Sequence, residues 1–158
     1  MSKWNDAEEW KRLCNGEACP ICRDGGPHGV IAELRVSRLT IGEDSGIRGY
    51  CCLVLRRHAV ELHDLTPDEA AALMRDLHDV SAALARVTGA VKLNYEIHGN
   101  TIPHLHVHLY PRYPRDPFEN APIDPSRVRG QQAYAPGEFE AFVSDLLDAL
   151  ATTLTNNP

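Results

Sequence analysis

Apolar residues recur every three to four positions between Ala70 and Val87: Ala70, Leu73, Met74, Leu77, Val80, Leu84 and Val87, with Ser81 on the same line. That spacing predicts an amphipathic helix with one buried face. Its ends are marked too. Thr66 is a capping residue, Pro67 fits the first helical position, Glu69 completes a capping box and Gly89 supplies the stop. A second stripe of Phe139, Phe142, Val143, Leu146, Leu147 and Leu150 predicts a helix over about 136–150. A shorter helix is expected from Asn5 to Leu13, opened by Asn5 and closed before Gly16.

Elsewhere the period falls to two. "VKLNYEI" and "PHLHVHLY" alternate as strands, and "VIAELRVS" and "RLTIG" read as two short ones before the turn-rich "EDSGIRG". "YCCLVL", bounded by Gly49 and Arg56, is a continuous apolar run that suits a buried strand. Glycines 25, 26 and 29, with Pro27, mark a loop. Prolines at 111, 114, 117, 122 and 125 predict an extended surface arm over 111–136. The sum is α+β: an antiparallel sheet of about five strands carrying two main helices. There is no internal repeat, and 158 residues fit one domain over 1–158 with a core at about 19–115.

Charge narrows the partners. With 16 basic and 22 acidic residues the net charge is −6, which does not suit a nucleic-acid backbone but leaves room for a small anionic ligand. No segment approaches the roughly 20 apolar residues that cross a bilayer, and "MSKWNDAEEWKR" lacks a signal-like apolar run. The expected setting is therefore cytoplasmic, where thiols stay reduced, and an odd five cysteines argue against a disulfide framework.

Candidate chemistry concentrates in "NTIPHLHVHLYPRY", residues 100–113. On a strand His104, His106 and His108 would share one face, roughly 6.5–7 Å apart, with Leu105, Val107 and Leu109 buried beneath a helix. Three readings stand: an exposed polar face, a three-histidine metal site, or imidazole acting as a nucleophile on phosphorus. The flanks favour the nucleophile. Asn94, Asn100 and Thr101 are neutral groups suited to phosphate or ribose oxygens. Asp and Glu, which a hard-metal phosphatase would place there, are missing from 97–115.

A second cluster is the Cys19–Cys22 pair in "ACPICRDGG". It has a redox reading, a purely structural reading and a zinc reading, the last requiring two ligands from elsewhere. Cys14, Cys51 and Cys52 have no ligand spacing, and the last two read as core residues of their strand. His58, ending "LVLRRH", has an alternative reading as a solvent-facing residue at a strand end.

"HLHVHLY" resembles the H-φ-H-φ-H-φ-φ signature of the histidine triad (HIT) superfamily of nucleotide hydrolases and transferases. "LVLRRHAVELHDLTPDEAAALM" and "GNTIPHLHVHLYPRY" extend the resemblance from about Cys19 to Arg115. The resemblance implies a HIT-like fold and the release of nucleoside monophosphate from a dinucleoside polyphosphate or nucleoside phosphoramidate. It implies that His106 attacks the α-phosphorus and that His108 contacts phosphate oxygens, with Asn94, Asn100 and Thr101 as polar contacts. It also implies a structural zinc held by Cys19, Cys22, His58 and His104, and a homodimer. The acidic residue that relatives place near the second strand falls ambiguously among Gly42, Glu43 and Asp44. Two rival functions are a metal-dependent hydrolase using all three histidines and a zinc-stabilised module that binds nucleotide without turnover.

Overall fold

The computed structural model describes residues 3–128 and 130–156; the ends of the expected 1–158 span and Arg129 of the arm lie outside them. Five strands form one antiparallel sheet: β1 (Val30–Glu33), β2 (Ser37–Ile41), β3 (Cys51–Leu55), β4 (Lys92–Glu96) and β5 (His106–Arg112). Their order across the sheet is β1-β2-β3-β5-β4, so β5 lies between its neighbours and β4 is an edge. The helices are α1 (Ala7–Cys14), α2 (Pro20–Arg23), α3 (Pro67–Thr88) and α4 (Glu138–Asn156). Among the described residues no helix is long and apolar enough to cross a membrane.

Alternation assigns the two faces of the sheet. Leu39, Ile41, Cys51, Leu53, Leu93, Val107 and Leu109 point to one side and form the main core with Val80, Ala83 and Leu84 of α3 and Phe142 and Leu146 of α4. Cys51 and Cys52 are buried strand residues. The other face carries His106, His108 and Tyr110. Register adds Val54 opposite His106, Cys52 and Glu96 opposite His108, and Asn94 opposite Tyr110. Gly49 leads into β3 at φ +75°, and a Cβ there would lie 2.7 Å from Thr88 Cγ2, so glycine is required.

Helix α3 keeps the expected ends: Thr66 Oγ1 accepts from the Glu69 amide at 3.2 Å, and Gly89 adopts φ 62°. Its buried face is rotated from the expected stripe. Asp76 and Asp79 are buried, while Met74 is 63 % exposed. The turn between β1 and β2 explains this. Asp76 accepts from the backbone amides of Arg35, Val36 and Ser37 and from the Ser37 hydroxyl, while Arg35 bridges Asp76 and Asp79. A buried carboxylate so fully bonded is tolerated where an isolated one is not.

Other boundaries moved less. Asp6, not Asn5, caps α1 by accepting from the Glu9 amide. The last helix starts at Glu138 and continues to Asn156, beyond the expected 150. The proline-rich segment differs more. It leaves β5 but folds back, burying Phe118, Ile123 and Val128 against Ile47 and Tyr110. Arg112 anchors it with two bonds to Asp116 and one each to the carbonyls of Glu119 and Ala121. Proline excluded neither regular structure nor burial there: β5 continues through Pro111 to Arg112, and Pro125–Arg127 form a 3-10 turn.

Candidate active site

The three histidines do not act as one row. β5 begins at His106, and His104 lies before it, bonded through its amide to the Ile102 carbonyl and only 1 % exposed. Its ring turns away from the other two and meets the cysteine pair, so the three imidazoles do not converge on one point. His106 and His108 stay together, with rings perpendicular and centroids 4.7 Å apart.

The histidine–cysteine cluster has the geometry of a tetrahedral metal site. Sγ of Cys19 and Cys22 lie 3.5 and 3.6 Å from Nδ1 of His104, and Cys22 Sγ lies 3.4 Å from Nδ1 of His58. All four ligand atoms fall within 4.8 Å of one another. Metal–sulfur bonds of about 2.3 Å and metal–nitrogen bonds of about 2.0–2.1 Å at a tetrahedral angle give sulfur–nitrogen edges of about 3.6 Å, which these match. Both histidines donate from Nε2 to carbonyls, His58 to Cys14 at 2.8 Å and His104 to Leu55 at 2.7 Å. Each Nδ1 is thereby left as an acceptor facing the cluster. Burial and the adjacent Cys19 thiol push Cys22 up to about 11, so loading a cation there releases protons.

Beside this cluster a cavity of about 1200 Å³ opens on the histidine face of the sheet. His106, His108, Asn94, Asn100 and Thr101 all line it. The nucleophile candidate is held in one tautomer: Nδ1 of His106 donates to the His104 carbonyl at 2.5 Å, which leaves Nε2 unprotonated. The ligand cluster and His106 therefore share one residue's backbone. His108 is kept neutral by burial and then by the nearby His106 and His98, which push it down to about 4.

Several residues around the cavity were not singled out by the sequence. Tyr50 places its hydroxyl 2.8 Å from Nδ1 of His108 and stacks on Tyr110 with centroids 4.7 Å apart. Burial drives the Tyr50 phenol far above its usual range, so it remains a neutral donor. Glu96 and His98, bonded at 2.8 Å, also face the cavity. Ile21 of α2 forms part of one wall and Pro122–Pro125 of the folded arm another. Glu96 falls one residue before the acid-poor window of 97–115, and only the β4–β5 register sets it opposite His108. Glu43 and Asp44 sit in an exposed turn and do not line this cavity.

A family model described as HIT domain matches residues 26–115, more than half of the chain. This chain belongs to the HIT family. Over 96 residues it is 34% identical to the asymmetrical bis(5'-nucleosyl)-tetraphosphatase of Schizosaccharomyces pombe, a match covering 58% of this chain. It spans about half, 53%, of that relative's length. A crystal structure of a histidine triad protein from Bradyrhizobium japonicum superposes with a TM-score of 0.68 at 33% identity, covering 77% of this chain and 89% of that one. A zinc-bound histidine triad family protein from Mycobacterium smegmatis shares the fold at 22% identity, TM-score 0.62, covering 89% and 98%. The α+β expectation and the HIT resemblance both hold.

Proposed function

We propose that this HIT protein is a nucleotide hydrolase or nucleotidyl transferase in which His106 carries a transient nucleotidyl group. The observation that supports this most directly is the His106 tautomer, with Nδ1 committed to a carbonyl and Nε2 bare beside a cavity whose walls include the neutral groups of Asn94, Asn100 and Thr101. Nε2 attacks the α-phosphorus, a phosphorus–nitrogen bond forms and the leaving group departs with its electron pair. Water, or another acceptor, then attacks the same phosphorus and releases the nucleoside monophosphate from His106. His108 faces the phosphate oxygens as a neutral Nε2–H donor, while Asn94, Asn100 and Thr101 hold ribose and phosphate. The similarity to a dinucleoside tetraphosphatase supports a dinucleoside polyphosphate as substrate, and a nucleoside phosphoramidate suits the same chemistry.

Zinc is the metal that two thiolates and two imidazoles at tetrahedral spacing fit best, held by Cys19, Cys22, His58 and His104. With all four positions taken by protein, it would tie α2 and its cavity wall to the start of β5 rather than meet substrate. The three-histidine metal hydrolase is not favoured, because His104 turns from its neighbours. Five free cysteines support a reducing, cytoplasmic setting. A second copy of the chain is the partner that suits the exposed apolar groove of Met74, Val91 and Tyr95 beside the β4 edge. Sedimentation equilibrium returning only monomer mass would remove the dimer.

The test of the mechanism is His106→Asn. Turnover should vanish while nucleotide binding persists, and an acid-labile, base-stable label trapped on wild type should be absent from the variant. Label persisting in His106→Asn would overturn the assignment.

A further inference from the structure

Glu96 presents a difficulty for a site that binds phosphate. The β4–β5 register sets it directly opposite His108, and its side chain lines the same cavity while only 16% exposed. A bare carboxylate there would repel an anionic substrate, and a poorly solvated one would do so strongly. That carboxylate has a partner. Glu96 Oε2 holds Nε2 of His98 at 2.8 Å, and the His98 ring lies 5.6 Å from that of His108, among the cavity walls with Asn100 and Thr101.

We propose that His98, held by Glu96, is a second catalytic residue: the acid that protonates the leaving group while His106 attacks. The proposal rests on the covalent mechanism given above and assigns what that mechanism leaves open, the source of the leaving group's proton. His108 is a poor source, because burial keeps its ring neutral. His106 is excluded, since its one proton is committed to the His104 carbonyl. His98 is half-exposed and can exchange protons with solvent, and its Nε2 is held at 2.8 Å by the Glu96 carboxylate, which leaves Nδ1 to meet the leaving group.

The steps balance. As the bond from phosphorus to the leaving oxygen or nitrogen breaks, that atom keeps the bonding pair and takes the proton from Nδ1 of His98. The pair is left as neutral imidazole and carboxylate. In the second half, water attacks the nucleotidyl group on His106 and gives a proton back to His98. The phosphorus–nitrogen bond breaks with its electrons returning to His106 Nε2, and both residues are restored.

Such an acid matters in proportion to the basicity of what leaves. An adenosine phosphoramidate expels an amine that needs a proton, whereas an adenosine 5'-phosphate nitrophenyl ester expels a stable anion that does not. The test measures single-turnover nucleotidyl transfer to His106 with both substrates, for wild type, His98→Gln and Glu96→Gln. AMP binding and circular dichroism report on fold and ground-state affinity. Expected is a loss of roughly 100-fold or more on the amidate for His98→Gln, with less than about 5-fold on the nitrophenyl ester. Glu96→Gln should follow the same selective pattern more weakly. Equal losses on both substrates would make His98 a binding residue and overturn the proposal, as would no loss on either. Amidate cleavage unaffected by Glu96→Gln would remove Glu96 from the pair. Failure of wild type to become labelled at His106 would overturn the covalent mechanism, and this assignment with it. A labelled wild type whose leaving-group dependence is unchanged in His98→Gln would overturn this assignment alone.

Discussion

Replacing Tyr50 by Phe removes one oxygen from the site and leaves its packing in place. The ring stack on Tyr110, at 4.7 Å and 19° between planes, does not need the hydroxyl, so the variant should fold. What is lost is the 2.8 Å contact to Nδ1 of His108. That contact decides the orientation of a neutral imidazole. His108, pushed down to about 4, carries a single proton at neutral pH. With the Tyr50 hydroxyl donating to Nδ1, the proton sits on Nε2, where the proposed mechanism sets the phosphate oxygens. Without it the two tautomers approach equal stability, and the productive one must be selected in every turnover.

A buried acceptor left without its donor costs about 1–3 kcal/mol. If that cost falls on the reacting state, kcat should drop roughly 5- to 150-fold with little change in KM, because charge on the phosphate oxygens grows only as the transition state forms. Steady-state kinetics on a dinucleoside polyphosphate gives the rate. Nitrogen-15 NMR of labelled histidine gives the tautomer, expected as Nε2–H in wild type and as a mixture in Tyr50→Phe. Wild-type kcat together with an unmoved His108 spectrum in the variant would refute the reasoning. So would a wild-type spectrum with the proton on Nδ1.

Further outcomes follow from the same geometry. Protein purified without added metal should carry about one zinc per chain by elemental analysis, and Cys22→Ser should lose it while His106→Asn does not. Asp76→Ala should be among the most destabilising single changes, by about 3 kcal/mol or more, because it orphans three backbone amides and the Ser37 hydroxyl; denaturant melts measure it. His108 binds its proton in the unfolded chain near 6.5 but in the folded protein only near 4, so its contribution to stability is complete above 6.5 and falls as pH drops through that interval. Thermal melts of wild type should show that fall more steeply than those of His108→Asn, and parallel curves would contradict it.

What the sequence reveals and what it hides follow from how far each feature reaches. The caps and stops of α3 are local, set by Thr66, Glu69 and Gly89 within one or two turns, and the alternation of β5 is local too. The stripe on α3 was displaced because burial of Asp76 is repaid only by amides some forty residues away, in the β1–β2 turn, and no periodicity encodes that. The sequence predicts a surface arm because proline counts report missing backbone donors, not whether Phe118 and Ile123 find an apolar seat on Ile47 and Tyr110. The cavity depends on registry most of all. His106, His108, Asn100 and Thr101 are close along the chain and could be grouped by eye, whereas Glu96 joins them only because β4 pairs with β5 at a particular offset, and Tyr50, just ahead of β3, meets His108 across the β3–β5 pairing. A one-residue slip of β4 would move Glu96 and Asn94 to the core face and turn Leu93 onto the histidine face. Burying a carboxylate and an amide beneath the helices would be costly. The apolar packing that fixes the fold therefore also fixes which polar groups meet the two histidines.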